Sequence, residues 1–492
     1  MKYKAIGALA CAVIILITSL NLPLLISGDT GRYHQHLEAQ EKPECNHSDD
    51  TLCTHLPLLS IDTDGAEIPG KAIEDDHGKI LGYTAAEDGS DRINAGLSVF
   101  DDEKKNNHLS DSPSITSDMS IHVRGNSSRT FDKLGYRLKL FDEKGENNAQ
   151  PLLGMDAHCD WALHGPILDK TLIRNYMWYN IAGEIMDYSP NVRFCELVIN
   201  GEYMGLYVLV EIITAGVDGA RLDVEIDAKD STFTGYALLL DRLDDEANNH
   251  LKSFTTYSLR TKMKLEFVYP GETKLNDELY DGIKQDFSAF EKTLYSYDYD
   301  NDKFGYKKMI DVDSFVDYFI INEFTSNYDA GWLSTFIYKD IDGIFRMCIW
   351  DFNSACDNYQ DSMISPNHFE MQNCLWYFML MKDEDFTARC VERYRELRKT
   401  YLSDEYLYNY IDDVVAYLGD AITRNYEKWG YSFGEDCDLL KPTQRNPRTY
   451  EQSIEQMKSF IAVRGEWMDE NIETIKQYSA VSKVKKFNEH AN

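Results

Sequence analysis

The chain is short of positive charge. Fifty lysines and arginines stand against 83 aspartates and glutamates, a formal net charge of −33 over 492 residues. That balance argues against binding DNA, RNA or anionic lipid through charge, because their phosphates would be repelled. It tolerates or attracts a basic partner. No C-x-x-C occurs among the ten cysteines, so the usual spacing of a zinc site is absent. No internal repeat is present. The run "DYDND" at 298–302 has half the pattern of a calcium loop. It lacks the glycine at loop position six and the glutamate at position twelve, which leaves an acidic turn.

Charge is missing altogether from one segment. Lys2 and Lys4 precede an apolar run from Ala5 to Ile26, weakened near its end by Asn21 and Pro23. At about 1.5 Å per residue it is long enough to span a bilayer. The lysines should stay cytoplasmic and place the rest outside. Residues 1–27 read as a signal anchor or a cleaved signal peptide. The run exceeds a usual signal-peptide core and no clean A-x-A site follows, which favours the anchor. Either reading makes the protein extracytoplasmic, membrane-anchored or secreted, with membrane contact through this segment only. Cys11 falls inside the run and leaves nine of the ten cysteines outside it, an odd number. Cys45 and Cys53 are close enough to close a small loop in an oxidising setting. The others are scattered and read mostly as small buried hydrophobes.

Residues 28–55 are polar and read as a stalk, 56–480 as a folded domain, and 481–492 as a tail. The 43% hydrophobic content is ample for a packed core. "LPLLSIDT" from 56, "LSVF" at 97–100, "YALLLDRL" at 236–243 and "LEFVYP" at 265–270 read as strands. "RFCELVINGEYMGLYVLVEII" at 193–213 is two β-rich runs joined through Asn200-Gly201, a strong hairpin signal. Residues 169–186 have helical spacing. After about 275 the chain turns helical, interrupted by "STFIYKDIDGIFRMCIWDFN", a hairpin turning at Asp342-Gly343. The fold class is therefore α+β, with a β-rich N-terminal half and a helix-rich C-terminal half.

Against this acidic background the stretch 121–141, "IHVRGNSSRTFDKLGYRLKLF", gathers positive charge around one turn. A turn through Gly125 and Asn126 offers backbone N–H groups, the hydroxyls of Ser127 and Ser128, and the guanidinium forks of Arg124 and Arg129. These groups suit phosphate oxygens. Arg137 and Lys139, two residues apart on the returning strand, point to one face. Taken alone, the pattern reads first as a surface hairpin with solvated charges. Two acidic positions add to it. Asp329 lies between a helix and a strand, and Asp351 follows an apolar strand in "IWDFNSACDNY". Carboxylates ending two adjacent elements can share a cleft, one orienting a hydroxyl nucleophile and the other holding Mg²⁺. Each Asp alone reads first as a turn or helix-capping carboxylate.

"RGNSSR…KLGYRLKL", "LLGM…DWALHGPILDKTLIRN", "LVINGEYMGLYVLVE" and "WDFNSACDNY", in that order, resemble the spore coat protein H (CotH) kinase family. The late "FIAVRGEWMDENI" is similar to that family's C-terminal helix. The resemblance covers roughly 56–475. It implies a divergent two-lobed protein-kinase-like fold, with the lobe change near 275. It further implies ATP and Mg²⁺ (or Mn²⁺) as cofactors, and phosphorylation of Ser or Thr in a surface or coat protein. By the same resemblance "RGNSSR" covers the nucleotide. Arg124, Ser127, Ser128, Arg137, Lys139 and Arg174 approach its phosphates, and Glu211 pairs with one of the cations. Asp329 matches the catalytic Asp and Asp351 the metal-binding Asp. Phe345 and Trp350 are candidates to flank the adenine.

The sequence departs from the pattern at two places. Five residues after the catalytic Asp, where kinases carry a metal-binding Asn, stands Ser334, a poorer but usable ligand. The basic residue that often follows the Glu of "LVE" is replaced in "EIITAG". Three functions stay open. One is an extracytoplasmic Ser/Thr kinase acting on a basic, Ser-containing protein. The second is a non-catalytic surface-binding or adhesion protein on the same scaffold. The third is a transferase that moves the nucleotide itself.

Overall fold

The computed structural model describes residues 32–43, 52–215, 221, 222, 224–226, 232–242, 249–255 and 263–480. The apolar run 1–27, Cys45 and the tail 481–492 lie outside the described residues. Among the described residues no helix is long and apolar enough to cross a membrane. The chain divides into two compact units, Met1–His34 and Gln35–Asn492. Of the first only 32–34 are described, and the architecture below is that of the second.

Seven strands close into a barrel. They are β1 (Leu58–Asp62), β4 (Ile93–Phe100), β5 (Ile115–Arg124), β6 (Gly135–Phe141), β7 (Asp160–His164), β8 (Val192–Ile199) and β9 (Glu202–Glu211). Their order is β1-β4-β5-β6-β7-β9-β8, and a parallel pairing of β8 with β1 closes the ring. A separate two-stranded ribbon, β2 (Ala72–Glu74) and β3 (Ile80–Tyr83), is inserted before β4. Alternation decides what fills the barrel. Met119, Ile121 and Val123 of β5 and Tyr136, Leu138 and Leu140 of β6 point inward into one apolar cluster. Their neighbours Arg124, Arg137 and Lys139 must then point outward.

The Asn200-Gly201 turn behaves as its dipeptide demands, with φ of 51° and 79°. Strands β8 and β9 are buried almost throughout, which explains their unbroken apolar text. One face fills the barrel, and the other, through Phe194, Leu206, Val208 and Val210, joins the helical core.

A second sheet has the order β11-β12-β10-β13-β14. Its strands are β10 (Tyr236–Arg242), β11 (His250–Leu251), β12 (Met263–Tyr269), β13 (Thr335–Lys339) and β14 (Arg346–Cys348). The hairpin read at 334–353 is therefore not a free-standing element. Its first strand pairs with β10 across a long sequence gap. Among the described residues, seven helices of ten or more residues complete the unit: α1 (Arg174–Ile185), α2 (Asp277–Leu294), α3 (Val312–Thr325), α4 (Glu384–Leu397), α5 (Asp404–Leu418), α6 (Asp420–Trp429) and α7 (Tyr450–Asn471). Asn276 caps α2, Asp311 caps α3 and Thr449 caps α7, each accepting from a backbone N–H of the first turn. The β-rich first half and helix-rich second half are as the sequence implies. The Arg of "FIAVRGEW" is Arg464, fully buried in an ion pair with Glu323 of α3. It also donates to the carbonyls of Glu323, Pro366 and His368, tying α7 to the end of α3.

Candidate active site

Helix α1 holds the Asp351 segment by its side chains. The backbone N–H of Asp351 donates to the Tyr179 hydroxyl at 3.0 Å, and that of Phe352 to the Asn175 side chain at 2.8 Å. Asn327 donates to the Asp351 carbonyl at 3.0 Å. Asp351 is held with φ at 56°, in the left-handed region that aspartate enters more readily than most residues with a side chain. Burial keeps the Tyr179 hydroxyl protonated, so it remains a stable partner. Helix α3 ends when Ser326 turns left-handed (φ 46°). Asp329 follows in the turn leading to β13, where its carbonyl accepts from Trp332 and Leu333. Ser354, three residues beyond Asp351, donates to the Asp329 carboxylate at 3.4 Å.

Both carboxylates line one cavity of about 330 Å³. The β5–β6 connection covers part of it through Arg124, Gly125, Asn126, Ser127 and Ser128. Ser127–Thr130 form a 3-10 turn. Gly125 has φ of +108°, a backbone state that residues with a Cβ rarely adopt, and a Cβ there would also displace the Ser128 hydroxyl, 2.0 Å away. Arg124 lies over the Trp350 ring, 5.5 Å from its centroid. Ser334, with φ at 49°, also borders the cavity.

The cavity carries more negative charge than the sequence suggests. Asp241 at the end of β10 and Glu266 of β12 line it too. Burial is the leading cause that raises Asp241, Glu266, Asp329 and Asp351 above their ordinary values. For Asp329 the Asp351 charge adds to burial and brings it to about 6. Asp351 itself is raised by burial and held back by Arg124. For Asp241 and Glu266 a neighbouring carboxylate, Asp351 or Asp241 respectively, adds to the rise. Arg242, beside Asp241, acts the other way on Asp329. His164 is buried against Arg124 and pushed down to about 3, so it stays neutral. Burial raises other carboxyls of the chain too, Asp317 and Glu323 among them, but Asp241, Glu266, Asp329 and Asp351 are raised together around one cleft.

Arg124, Ser127, Ser128, Ser334, Asp329 and Asp351 are thus brought together. The other positions go elsewhere. Arg137 and Lys139 are not among the cavity-lining residues. Strand alternation sends both to the outer barrel face, where they line a separate hollow, and Arg137 is engaged bidentately by Asp160 at 2.9–3.0 Å. Arg174 is buried in an ion pair with Asp169, and its Nε donates to the Ala355 carbonyl at 2.9 Å. It therefore braces the segment after Asp351 and is not turned to the cavity. Glu211 pairs with none of the cations expected for it. It lies 3.7 Å from Arg221 and accepts from the backbone and side chain of Asn191. Trp350 borders the cavity, whereas Phe345 is wholly buried against Phe287 and Phe290. Asp241, Arg242 and Glu266 were missed. For Asp241 the signal existed, since it is an acidic residue closing an apolar strand, as Asp351 is.

Among the described residues no three His, Cys, Asp or Glu side chains gather closely enough to hold an ion by themselves. The oxygen donors of Asp351 and Ser334 fit a small hard cation that keeps its waters and takes one or two carboxylates, the habit of Mg²⁺.

The cavity thus sets paired acids beneath a Gly-Asn-Ser-Ser turn. Residues 121–468 match the family described as CotH kinase protein, and the chain belongs to that family. The match begins within β5 and is narrower than the 56–475 span of the resemblance. The chain is also 27% identical over 287 residues to the inner spore coat protein H of Bacillus subtilis (strain 168), covering 58% of this chain and 69% of that protein.

Proposed function

We propose that the protein is an extracytoplasmic Ser/Thr kinase with a two-lobed kinase-like fold, transferring the γ-phosphoryl group of ATP to a basic, Ser-containing surface or coat protein. The observation that carries the reading is the meeting of Asp329 and Asp351 in one cavity beneath the "RGNSSR" turn. The family match supports it, and the name of the Bacillus subtilis relative supports a coat location. Asp351, with Ser334, would hold the divalent ion, which supplies neutralisation of the phosphate charge. Arg124 and the hydroxyls of Ser127 and Ser128 bind phosphate oxygens. Asp329 orients the attacking hydroxyl and receives its proton late in the transfer. The acidic chain, at −33, suits a Lys- and Arg-rich target.

The test is incubation of the protein with Mg²⁺ or Mn²⁺, a Ser- and Lys-rich protein, and ATP labelled separately at the α and γ positions. Transfer of the γ label alone supports the kinase. Transfer of the α label identifies a nucleotidyl transferase. Transfer of neither leaves the non-catalytic binding role, to which the Ser334 substitution points.

A further inference from the structure

The outer faces of β5, β6 and β7 carry a second hollow, of about 190 Å³, lined by Arg92, Ser120, His122, Arg137, Lys139 and Asp160. The register lines these residues up. Ser120, Lys139 and Asp160 form one row across the three strands, and His122 and Arg137 sit side by side in the next. Three cations thus face one carboxylate, in a chain whose overall charge is −33.

Each arginine keeps a free edge. Arg137 gives Nε and Nη2 to Asp160, and Arg92 gives Nε and Nη2 to Asp91. Lys139 makes no salt bridge among the described residues and is exposed. The Ser120 hydroxyl adds a further donor. Donors on several sides of a small hollow match the three oxygens of a phosphomonoester. A volume of about 190 Å³ is below the range of pockets that take drug-sized ligands, so a whole nucleotide is a poor fit. His122 reports the local field. Burial, then Arg137 and Arg92, push it down to about 4, so the ring is neutral and leaves the hollow's positive charge to the three long side chains.

We propose that this hollow binds the phosphate of an already phosphorylated serine on the substrate polypeptide. The proposal rests on the kinase reading for the origin of that phosphate. His122 and Arg124 are two residues apart on β5, a step of about 7 Å, and Ser120 is one step further. His122 lines the hollow and Arg124, the next outward residue of β5, lines the larger cavity, so hollow and cavity adjoin along that strand. An extended peptide rises about 3.4 Å per residue. A phosphoserine in the hollow would therefore sit about two to four residues from a serine offered near Arg124. The first phosphorylation of a serine-rich target would then promote the next, on a protein whose acidic surface otherwise repels its own product.

Binding tests this without turnover, so its failure is separable from failure of the kinase reading. The full chain, with ATP and metal left out, is titrated with a fluorescent peptide of alternating lysine and serine carrying one phosphoserine, and with the same peptide unphosphorylated. The phosphopeptide should bind about tenfold or more tightly, the scale of one charge-assisted hydrogen bond. Lys139→Ala, a change at an exposed side chain, should abolish the preference. It should leave the affinity for a non-hydrolysable ATP analogue unchanged. Added O-phospho-L-serine should raise the pH at which the His122 ring titrates, read by NMR. Equal binding of the two peptides, a preference that survives Lys139→Ala, or an unmoved His122 overturns the proposal. Weakened analogue binding in the Lys139→Ala protein overturns it as well, because the hollow would then belong to the nucleotide.

Discussion

Arg124 and Asp351 both line the candidate cavity, and each offsets part of what burial does to the other. Burial lowers the Arg124 pKa and the Asp351 charge raises it. Burial raises the Asp351 carboxyl and the Arg124 charge lowers it. The pair joins the end of β5 to the residue just past the hairpin β13–β14, so the covering turn and the carboxylate below it are coupled electrostatically.

Arg124→Ala should lower nucleotide affinity about tenfold or more, the scale of one lost charge-assisted contact of about 1.5–3 kcal/mol. It should also raise the Asp351 carboxyl further, since its opposing cation is gone. Calorimetric titration with a non-hydrolysable ATP analogue checks the first effect. Unchanged affinity would remove Arg124 from the phosphate site.

Asp329 should give transfer a pH dependence. Its folded value is about 6 against an ordinary 3.8, and the carboxylate form is the one that accepts the proton. The rate should therefore rise with pH through about 6. Stability runs the opposite way. Between the two values the folded protein holds a proton that the unfolded chain has lost, so stability falls as pH rises and the cost is complete above about 6. Asp329→Asn should lose most transfer, keep ATP binding, and be more stable than the parent at pH 7–8 by on the order of 1–2 kcal/mol. Denaturant titrations at pH 4 and pH 8 test the sign. A destabilised variant at pH 8 would contradict it.

Asp351→Asn should abolish transfer and weaken metal-dependent nucleotide binding, in contrast to Asp329→Asn, which loses transfer alone. It also removes the like charge acting on Asp329. The pH window over which stability falls should therefore shift toward lower pH. Phosphorylation at the parental rate would refute the assignment of Asp351 to the ion.

Arg174→Ala leaves Asp169 buried without its cation and frees the Ala355 carbonyl. Loss of about 3–5 kcal/mol is expected, the scale for breaking a buried ion pair by removing one partner. Arg174→Lys should recover only part of it, because an ammonium cannot reproduce the fork. Urea denaturation of both variants measures this. A near-neutral Arg174→Ala would mean that the buried pair contributes little to holding the Asp351 segment.

Much of the architecture was written locally. The Asn200-Gly201 turn, the β5–β6 hairpin, and the capped starts of α2 and α3 each follow from a few adjacent residues whose φ preferences, periodicity or side-chain acceptors allow little else. Asp329 and Asp351 were legible because each ends a regular element and because the surrounding motifs match a family. Arg137 and Lys139 were half legible. Their spacing placed them on one face together, but nothing local showed that the face belongs to a closed barrel or that Asp160 would take up one of them.

The sequence by itself determined which residues share a face, where the turns fall and which acids end their strands, because these depend on dihedral preferences and on periods of two and 3.6 residues. Only the tertiary structure decided which faces meet. Pairing of β10 with β13 brought Asp241 into the cavity with Asp329 and Asp351. The packing of α1 under the Asp351 segment turned Arg174 toward Asp169 and the Ala355 carbonyl. Such meetings depend on burial summed over distant segments, and no short window of the chain contains that sum.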